Sequence, residues 1–520
     1  MPTTRSKRRD LLFSILALLA ALLACNRPTP ASESSSWSAS GGSGLAPIPS
    51  ATHPAWLLPP TRLPGAPILT PTPDTSHILP STRKEPQKYV VQPGDTLGQI
   101  ATSYGVSVEH IVKANDLKNP NVLDVGQKLV IPAPTLEGSG PDFKIIPDSE
   151  LVYGPLTSFF NVAEYINSQG GYLAQYHEKL DEDKKLSGAE IVELVARSYS
   201  INPRLFLAVL QYQSGWVTKS QPREATLDYP IGWRDPQRKG LYRQLAWAVN
   251  QLNRGYYLWR VDGVATWVFP DGYIVPIAPT INAGTAGVQY FLSQIYGYKE
   301  WKDSASPDGL FATYSNLFGY PFDLAIEPLL PPDLRQPSLQ LPFEPGARWV
   351  LTGGPHGGWD DGSAWAALDF APDTEAVGCV ESDEWVVSVG NGLILRSEDG
   401  AVTQDLDSPE GALNDGLEQT GWVILYMHIE SRGRVAAGTY LMAGERIGHP
   451  SCEGGVSTGT HLHLARRYNG EWIPADQILP FVLDGWISGG SGVEYEGYLE
   501  RNGEKVVADA GQSSKNKIKR

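Results

Sequence analysis

The sequence predicts a multidomain protein: a small βααβ unit, a mostly α-helical domain, and an antiparallel β domain toward the C-terminal end. Three observations predict it. The 520 residues are enough for three or four domains at roughly 150 residues each. Helical spacing of apolar residues dominates before residue 330, and short apolar runs broken by Gly and Asp dominate after residue 346. The 53 glycines and 42 prolines exceed the usual ~12% share and imply linkers and loop-rich β structure. With 41% hydrophobic and 19% charged residues, the chain folds rather than staying disordered. A net charge of −15 argues against nucleic-acid binding and against a polybasic membrane surface. Three cysteines exclude a disulfide scaffold and a cysteine-rich zinc cluster.

The N-terminus gives an address. Arg5, Lys7, Arg8 and Arg9 precede Leu11 to Ala24, a run that is apolar apart from Ser14. The run is shorter than the ~20 residues of a spanning helix and reads as a signal-peptide core. It ends in Leu22-Leu23-Ala24-Cys25, which resembles a bacterial lipobox. Residues 1–24 are then a lipoprotein signal peptide and Cys25 the lipidated residue. This predicts an exported lipoprotein on the outer face of a membrane, in the cell envelope. Residues 25–87, rich in Pro, Ser and Thr, are a tether. Cys379 and Cys452 remain, and an oxidising compartment permits one disulfide between them.

Residues 88–133 form the βααβ unit. Tyr89-Val90-Val91 is a strand, Thr96 caps a helix carrying Leu97, Ile100 and Ala101, Ser107 caps a second, and Leu129-Val130-Ile131 returns. The strings YVVQPGDTLGQIA and NVLDVGQKLVIP resemble both ends of a LysM domain. That resemblance implies binding of N-acetylglucosamine polymers through Asp95, Thr96, Leu97 and the loop around Asn121.

After a linker at 134–149, residues 150–330 read as helical. Ser187-Gly-Ala-Glu190 is a capping box, and Asn202-Pro203 opens the helix of Leu205 to Leu210. The segment INPRLFLAVLQYQSGW resembles the start of a lysozyme-like lytic transglycosylase domain. In that family a glutamate before serine protonates the glycosidic oxygen. Gln213 stands at that position here, and an amide has no proton to donate. The resemblance therefore implies a degenerate, inactive domain.

Residues 331–345 read as a second linker, and 346–488 as the β domain, with apolar runs at Trp385 to Val389, Leu393 to Leu395 and Trp422 to Met427. Residues 489–520 read as a glycine-rich linker, a hairpin around Arg501-Asn502-Gly503 and a basic tail, with no function assigned. Four of the five histidines in the β domain, His356, His428, His461 and His463, lie among its motifs. In His461-Leu462-His463 both imidazoles project to one face of a strand. The surrounding GVSTGTHLHLA, Tyr426-Met427-His428, and Gly354-Pro355-His356 followed by Ala367-Leu368-Asp369-Phe370-Ala371 resemble the motifs of lysostaphin-type (LytM-like) zinc endopeptidases. Twelve residues separate His356 from Asp369, an insert that resembles the beta-lytic or staphylolysin branch. A closer carboxylate, Asp360, matches the commoner spacing but lies in a Gly/Trp/Asp loop, so Asp369 is preferred.

The resemblance implies one zinc ion held by His356, Asp369 and His463, a donor set that suits zinc. His428 and His461 are the expected catalytic pair. A Cys379–Cys452 bridge would clamp two active-site segments. Together these readings predict an envelope-anchored peptidoglycan endopeptidase that cuts stem-peptide or cross-bridge amides. Its partners are peptidoglycan, through LysM, and the membrane, through Cys25. The alternative is a noncatalytic wall-binding scaffold that regulates other hydrolases.

Overall fold

The computed structural model describes residues 71–92, 95–136, 138–180, 184–406, 415–511 and 513–520. The signal segment, Cys25 and most of the tether lie outside them.

In the βααβ unit, β1 (Gln87–Val90) pairs antiparallel with β2 (Lys128–Ile131). Between them run α1 (Leu97–Tyr104) and α2 (Val108–Asn115). Ser107 caps α2 by accepting from the His110 N–H, which satisfies one of the orphan donors of a helix start. Val91, Leu97, Ile100, Ala101, Ile111, Leu129 and Ile131 form the core. Leu97 is thus 3% exposed and offers no side chain to a glycan, contrary to expectation. The periodicity that places it on α1 also turns it inward.

The middle domain carries the hairpin β3 (His177–Lys179) and β4 (Lys185–Ser187), then α3 (Gly188–Tyr199) and α4 (Pro203–Ser214). After these come α5 (Leu241–Arg260), a hairpin of β5 (Thr266–Val268) and β6 (Ile274–Pro276), α6 (Ala283–Ile295) and α7 (Leu310–Phe318). The Ser187–Glu190 capping box forms, and Asn202 caps α4 ahead of Pro203. A buried cluster ties the domain's ends together: Arg204 binds Glu150, which also accepts from the Tyr314 hydroxyl.

The expected linkers are partly built into the cores. Ile145 and Ile146, placed in the 134–149 linker, are fully buried in the middle domain. Residues of the tether also bind there: the Asp74 and His77 N–H groups donate to Thr280 and Pro279, and Asp74 pairs with Lys144. Ile274 of β6 completes the βααβ core, so that unit is seated on the middle domain. Leu339, Leu341 and Phe343 of the 331–345 linker lie in the β-domain core.

The β domain begins with β7 (Arg348–His356), β8 (Ala367–Pro372), β9 (Val386–Val387), β10 (Gly392–Glu398), β11 (Ala401–Leu406) and β12 (Trp422–Met427). It continues with β13 (Tyr440–Leu441), β14 (Arg446–Gly448), β15 (Leu462–Tyr468) and β16 (Glu471–Trp472). A second sheet holds β17 (Val482–Leu483), β18 (Trp486–Gly490), β19 (Gly497–Arg501) and β20 (Glu504–Val507), and β21 is Lys517–Lys519. The main sheet runs β13-β10-β11-β12-β15-β8-β7-β21, with β16 attached to β15. Residues 489–520 are therefore no linker and tail. They build strands, and Ile518 is buried against the main sheet.

The period of two sorts each strand of the main sheet between two faces. Leu368, Phe370, Ile424, Tyr426, Leu462 and Leu464 face the β domain's own core. Ala367, Leu425, Met427 and Ala465 join the core of the middle domain, so the middle domain covers the opposite face. Trp472 is fully buried at this joint. Its backbone N–H donates to the Tyr257 hydroxyl oxygen at 2.9 Å, while Glu471 binds Arg260 at 2.8 Å.

Near the joint, Glu418 is buried between Arg396 and Arg467. Burial pushes its carboxyl up, but the two guanidinium groups outweigh that and hold it at about 2. A folded-state value below the unfolded 4.5 stabilises the fold at neutral pH, and the contribution is lost as pH falls from about 4.5 toward 2. Glu418→Gln is expected to cost about 3–5 kcal/mol at pH 7 by leaving two buried cations unpaired. Thermal melts at pH 7 and pH 3 check this, and the gap between variant and wild type narrows at the lower pH.

Candidate metal centre and active site

Strand register brings the candidate residues together. His463 of β15 pairs with Asp369 of β8 on one side and with Met427 of β12 on the other, next to His428. Two register shifts in β7, between Leu351 and Gly353 and between Gly353 and His356, re-aim its end so that His356 joins them. Gly353 is required to be small: a Cβ there would lie 2.7 Å from Asp369 Oδ2.

Three donor atoms converge. His356 Nε2 lies 3.0 Å from His463 Nδ1, and these nitrogens lie 3.2 and 3.3 Å from Asp369 Oδ1. Donors held ~2.0–2.1 Å from a tetrahedral zinc lie roughly 3.3 Å apart, so this triangle has the right size. Asp369 Oδ1 is buried with no hydrogen bond of good geometry, a costly state for a carboxylate unless a cation meets it. Asp360, the rejected alternative, points elsewhere, accepting from the Asn250 amide at 2.8 Å and the Tyr199 hydroxyl at 3.2 Å.

Backbone carbonyls fix the histidine tautomers. His356 Nδ1 lies 2.8 Å from the Gly354 carbonyl, and His463 Nε2 lies 3.1 Å from the Gly358 carbonyl. Each ring thus donates outward and turns its lone pair to the centre. His428 Nδ1 faces the Glu453 carbonyl at 3.0 Å, and His461 Nδ1 faces that of Gly459 at 2.7 Å. Both therefore present Nε2 inward, with ring centroids 4.4 Å apart. His461 Nε2 is 3.9 Å from Asp369 Oδ1. Burial, then the neighbouring His461 and His463, lower His428 to about 3. For His463 burial likewise dominates and lowers the pKa. Burial opposes protonation of His356 too, but Asp369 outweighs it and the pKa is raised. Asp369 is held well below the usual carboxylate range: burial acts against this, and His356 foremost overcomes it. His428 sits at φ 62°, a strained setting for a non-glycine residue and one typical of functional sites.

Cys379 and Cys452 form a disulfide. It ties the loop after β8 to the segment that supplies the Glu453 and Gly459 carbonyls. Alongside it, the Val380 N–H donates to Thr460 Oγ1 at 2.9 Å. One participant escaped the sequence reading. Tyr495, from the segment assigned no function, stacks on His356 at 4.3 Å with a 20° interplanar angle. Its backbone N–H donates to the Pro355 carbonyl, and its own carbonyl accepts from the Gly354 N–H. Tyr495→Ala is expected to lower zinc affinity ~10–100-fold, as loss of a ligand's outer support does, while Tyr495→Phe retains it. Competition with a chelator measures both.

In the βααβ unit, Asp95 accepts from the Tyr89 hydroxyl at 2.7 Å and from the Gln92 N–H at 2.6 Å. Thr96 bonds Gln99, and Asn121 is exposed. Gln213, in the last turn of α4, accepts from the Tyr296 hydroxyl at 2.7 Å. It lines neither cavity beside the metal trio.

Residues 89–132 match the LysM domain family, and residues 144–331 match the family described as LasA, N-terminal domain. Protease LasA of Pseudomonas aeruginosa, in two strains, is 27% identical over 311 residues and 28% over 310, covering 55% of this chain and 67% of the relative. The chain is similar to the LasA and lysostaphin-type metallopeptidases and carries a LysM domain. Among solved structures, the M23 metalloprotease pseudoalterin is 22% identical, covering 33% of this chain and 96% of that one, with a TM-score of 0.27. The helical middle region is accordingly a LasA-type N-terminal domain.

Proposed function

We propose that the chain hydrolyses amide bonds in the peptide part of peptidoglycan, with one zinc held by His356, Asp369 and His463. The observation that carries this is the triangle of donor atoms around Asp369 Oδ1, flanked by two further imidazoles of fixed tautomer. Zinc, when bound, supplies a Lewis acid that polarises the scissile carbonyl and lowers the pKa of a water. His428 and His461 move protons: one takes a proton from the attacking water at Nε2, and the other hands one to the departing amine nitrogen. The LysM unit holds N-acetylglucosamine glycan through Asp95, Thr96 and Asn121, and keeps the peptidase near its substrate. Lipidation at Cys25 anchors the protein in the envelope. Gln213 supplies no acid, so no glycosidase activity is included.

The test compares wild type with His463→Ala for zinc content and for new amino termini released from purified peptidoglycan. Wild type is expected to hold about one zinc per chain and to release peptides, and the variant to do neither. Zinc-loaded wild type that binds peptidoglycan and generates no amino termini would overturn the reading in favour of a scaffold.

A further inference from the structure

One segment, residues 451–461, holds both proton-transfer histidines. The Ser451 N–H donates to the His428 carbonyl at 2.7 Å, and Ser451 Oγ donates to the same oxygen at 3.0 Å. The Glu453 carbonyl fixes His428 Nδ1, and Cys452 is the residue between these two. At the other end of the segment, the Gly459 carbonyl fixes His461 Nδ1. Ser457 joins the parts. Its Oγ donates to the Gly459 carbonyl at 2.7 Å, and lies 3.3 Å from His461 Nδ1 and 3.4 Å from Cys452 Sγ.

The segment has little stiffness of its own. Among the described residues no helix or strand falls within 451–460. Gly454 and Gly455 sit at φ 73° and 67°, in a part of the chain where glycine keeps most freedom. Hydrogen bonds tie the segment to its surroundings: Glu453 accepts from Ser431, and Thr460 bonds Gly378 and Val380. The one covalent tie is the disulfide from Cys452 to Cys379. Cys379 is exposed, and so are residues 374–377 just before it. The metal donors are held elsewhere. His356, Asp369 and His463 stand on β7, β8 and β15, and the carbonyls that orient the two imidazoles belong to Gly354 and Gly358.

We infer, building on the peptidase reading, that the Cys379–Cys452 bond, with Ser457 as its relay, positions the proton-transfer pair, so that catalysis depends on oxidation and zinc binding does not. The exposed bond is open to a dithiol. One thiolate of the dithiol attacks a sulfur, the S–S bond breaks, and the cysteine that leaves takes up a proton. The second thiolate attacks the mixed disulfide, frees the other cysteine, and the dithiol departs as its own disulfide. Two electrons and two protons have then passed to Cys379 and Cys452. With the bond open, the Glu453 and Gly459 carbonyls are held by hydrogen bonds alone and no longer fix the two imidazoles. The catalytic pair is thus complete only where cysteines are kept oxidised.

The experiment uses full-length, zinc-loaded protein and soluble cross-linked stem peptides. The disulfide is reduced with a trialkylphosphine, which becomes the phosphine oxide with oxygen from water. Reduction is expected to lower kcat ~10²-fold, the scale of a ~1 Å misplacement, with KM and zinc content unchanged. Reoxidation with glutathione disulfide should restore kcat. The double variant Cys379→Ser, Cys452→Ser should match the reduced protein. Ser457→Ala should lower kcat several-fold with the disulfide intact, and Ser457→Thr, which keeps the hydroxyl, should recover it. Full activity after reduction would overturn the proposal. So would loss of zinc together with the rate, which would make the bond a support of the whole centre. Unchanged kcat in Ser457→Ala would remove Ser457 as the relay. Oxidised wild type that holds zinc and cleaves no peptide would instead overturn the peptidase reading itself.

Discussion

Replacing Asp369 by asparagine is expected to leave a folded protein that no longer holds zinc or releases peptides. The side chain is buried, and its Oδ1 has no hydrogen bond of good geometry while two imidazole nitrogens face it at 3.2 and 3.3 Å. Asparagine keeps the shape and removes the charge. In the metal-free protein that change removes a buried anion whose compensation comes from His356, so the fold tolerates it. In the zinc-loaded protein it removes the one anionic donor, and affinity falls. Melting with and without chelator separates the two. Wild type should lose stability when zinc is stripped, because a ligand that binds only the native state stabilises it by mass action. Asp369→Asn should melt at the same temperature in both conditions. Tight zinc binding by the Asp369→Asn variant would remove Asp369 from the donor set.

Much of this centre is legible in the sequence because it rests on short-range pattern. His461-Leu462-His463 and Ala367-Leu368-Asp369-Phe370-Ala371 both alternate with period two, so the face of each polar residue follows from strand geometry alone. The preference for Asp369 over Asp360 follows from the strand-like setting of the first, and Asp360 does sit in a loop turned toward the middle domain. Tyr495 leaves no such signal. It reaches His356 through backbone bonds to Gly354 and Pro355, distant in the chain, and has no periodic neighbours to mark it. The edge strand Lys517–Lys519 is equally silent: three residues, two of them charged, pair with Arg348, Trp349 and Val350, and only tertiary packing makes them a strand. Leu97 shows the opposite error. A motif places it in a binding groove, whereas its helical spacing with Ile100 and Ala101 already places it in the core. The apolar residues of the supposed linkers, Ile145, Ile146, Leu341 and Phe343, are readable as buried from their type. The proline content around them conceals that.

Removing either of the other two histidines is expected to separate chemistry from metal binding. His428→Ala and His461→Ala should each keep zinc and lose ~10²–10⁴-fold in kcat, the usual contribution of a positioned acid or base. Neither ring is among the three converging donors, which is why zinc should stay. Each donates through Nδ1 to a carbonyl of the disulfide-tied segment, Glu453 or Gly459, and this leaves Nε2 on both free to exchange a proton. The rings stand 4.4 Å apart, close enough to act on one reacting group, so the double variant should cost less than the product of the singles. The pH profile adds a sign. His428, held at about 3 by burial first and its histidine neighbours next, stays neutral as pH falls below the ordinary value of 6.5. It therefore remains in its base form across roughly pH 5–8, the window in which an unperturbed histidine changes charge. Any acid limb of kcat/KM in that window must belong to another group. Steady-state rates across it, with zinc content measured on each sample, decide the matter. If His428→Ala or His461→Ala loses its zinc, that histidine is a ligand; if both stay fully active, the proton-transfer roles are wrong.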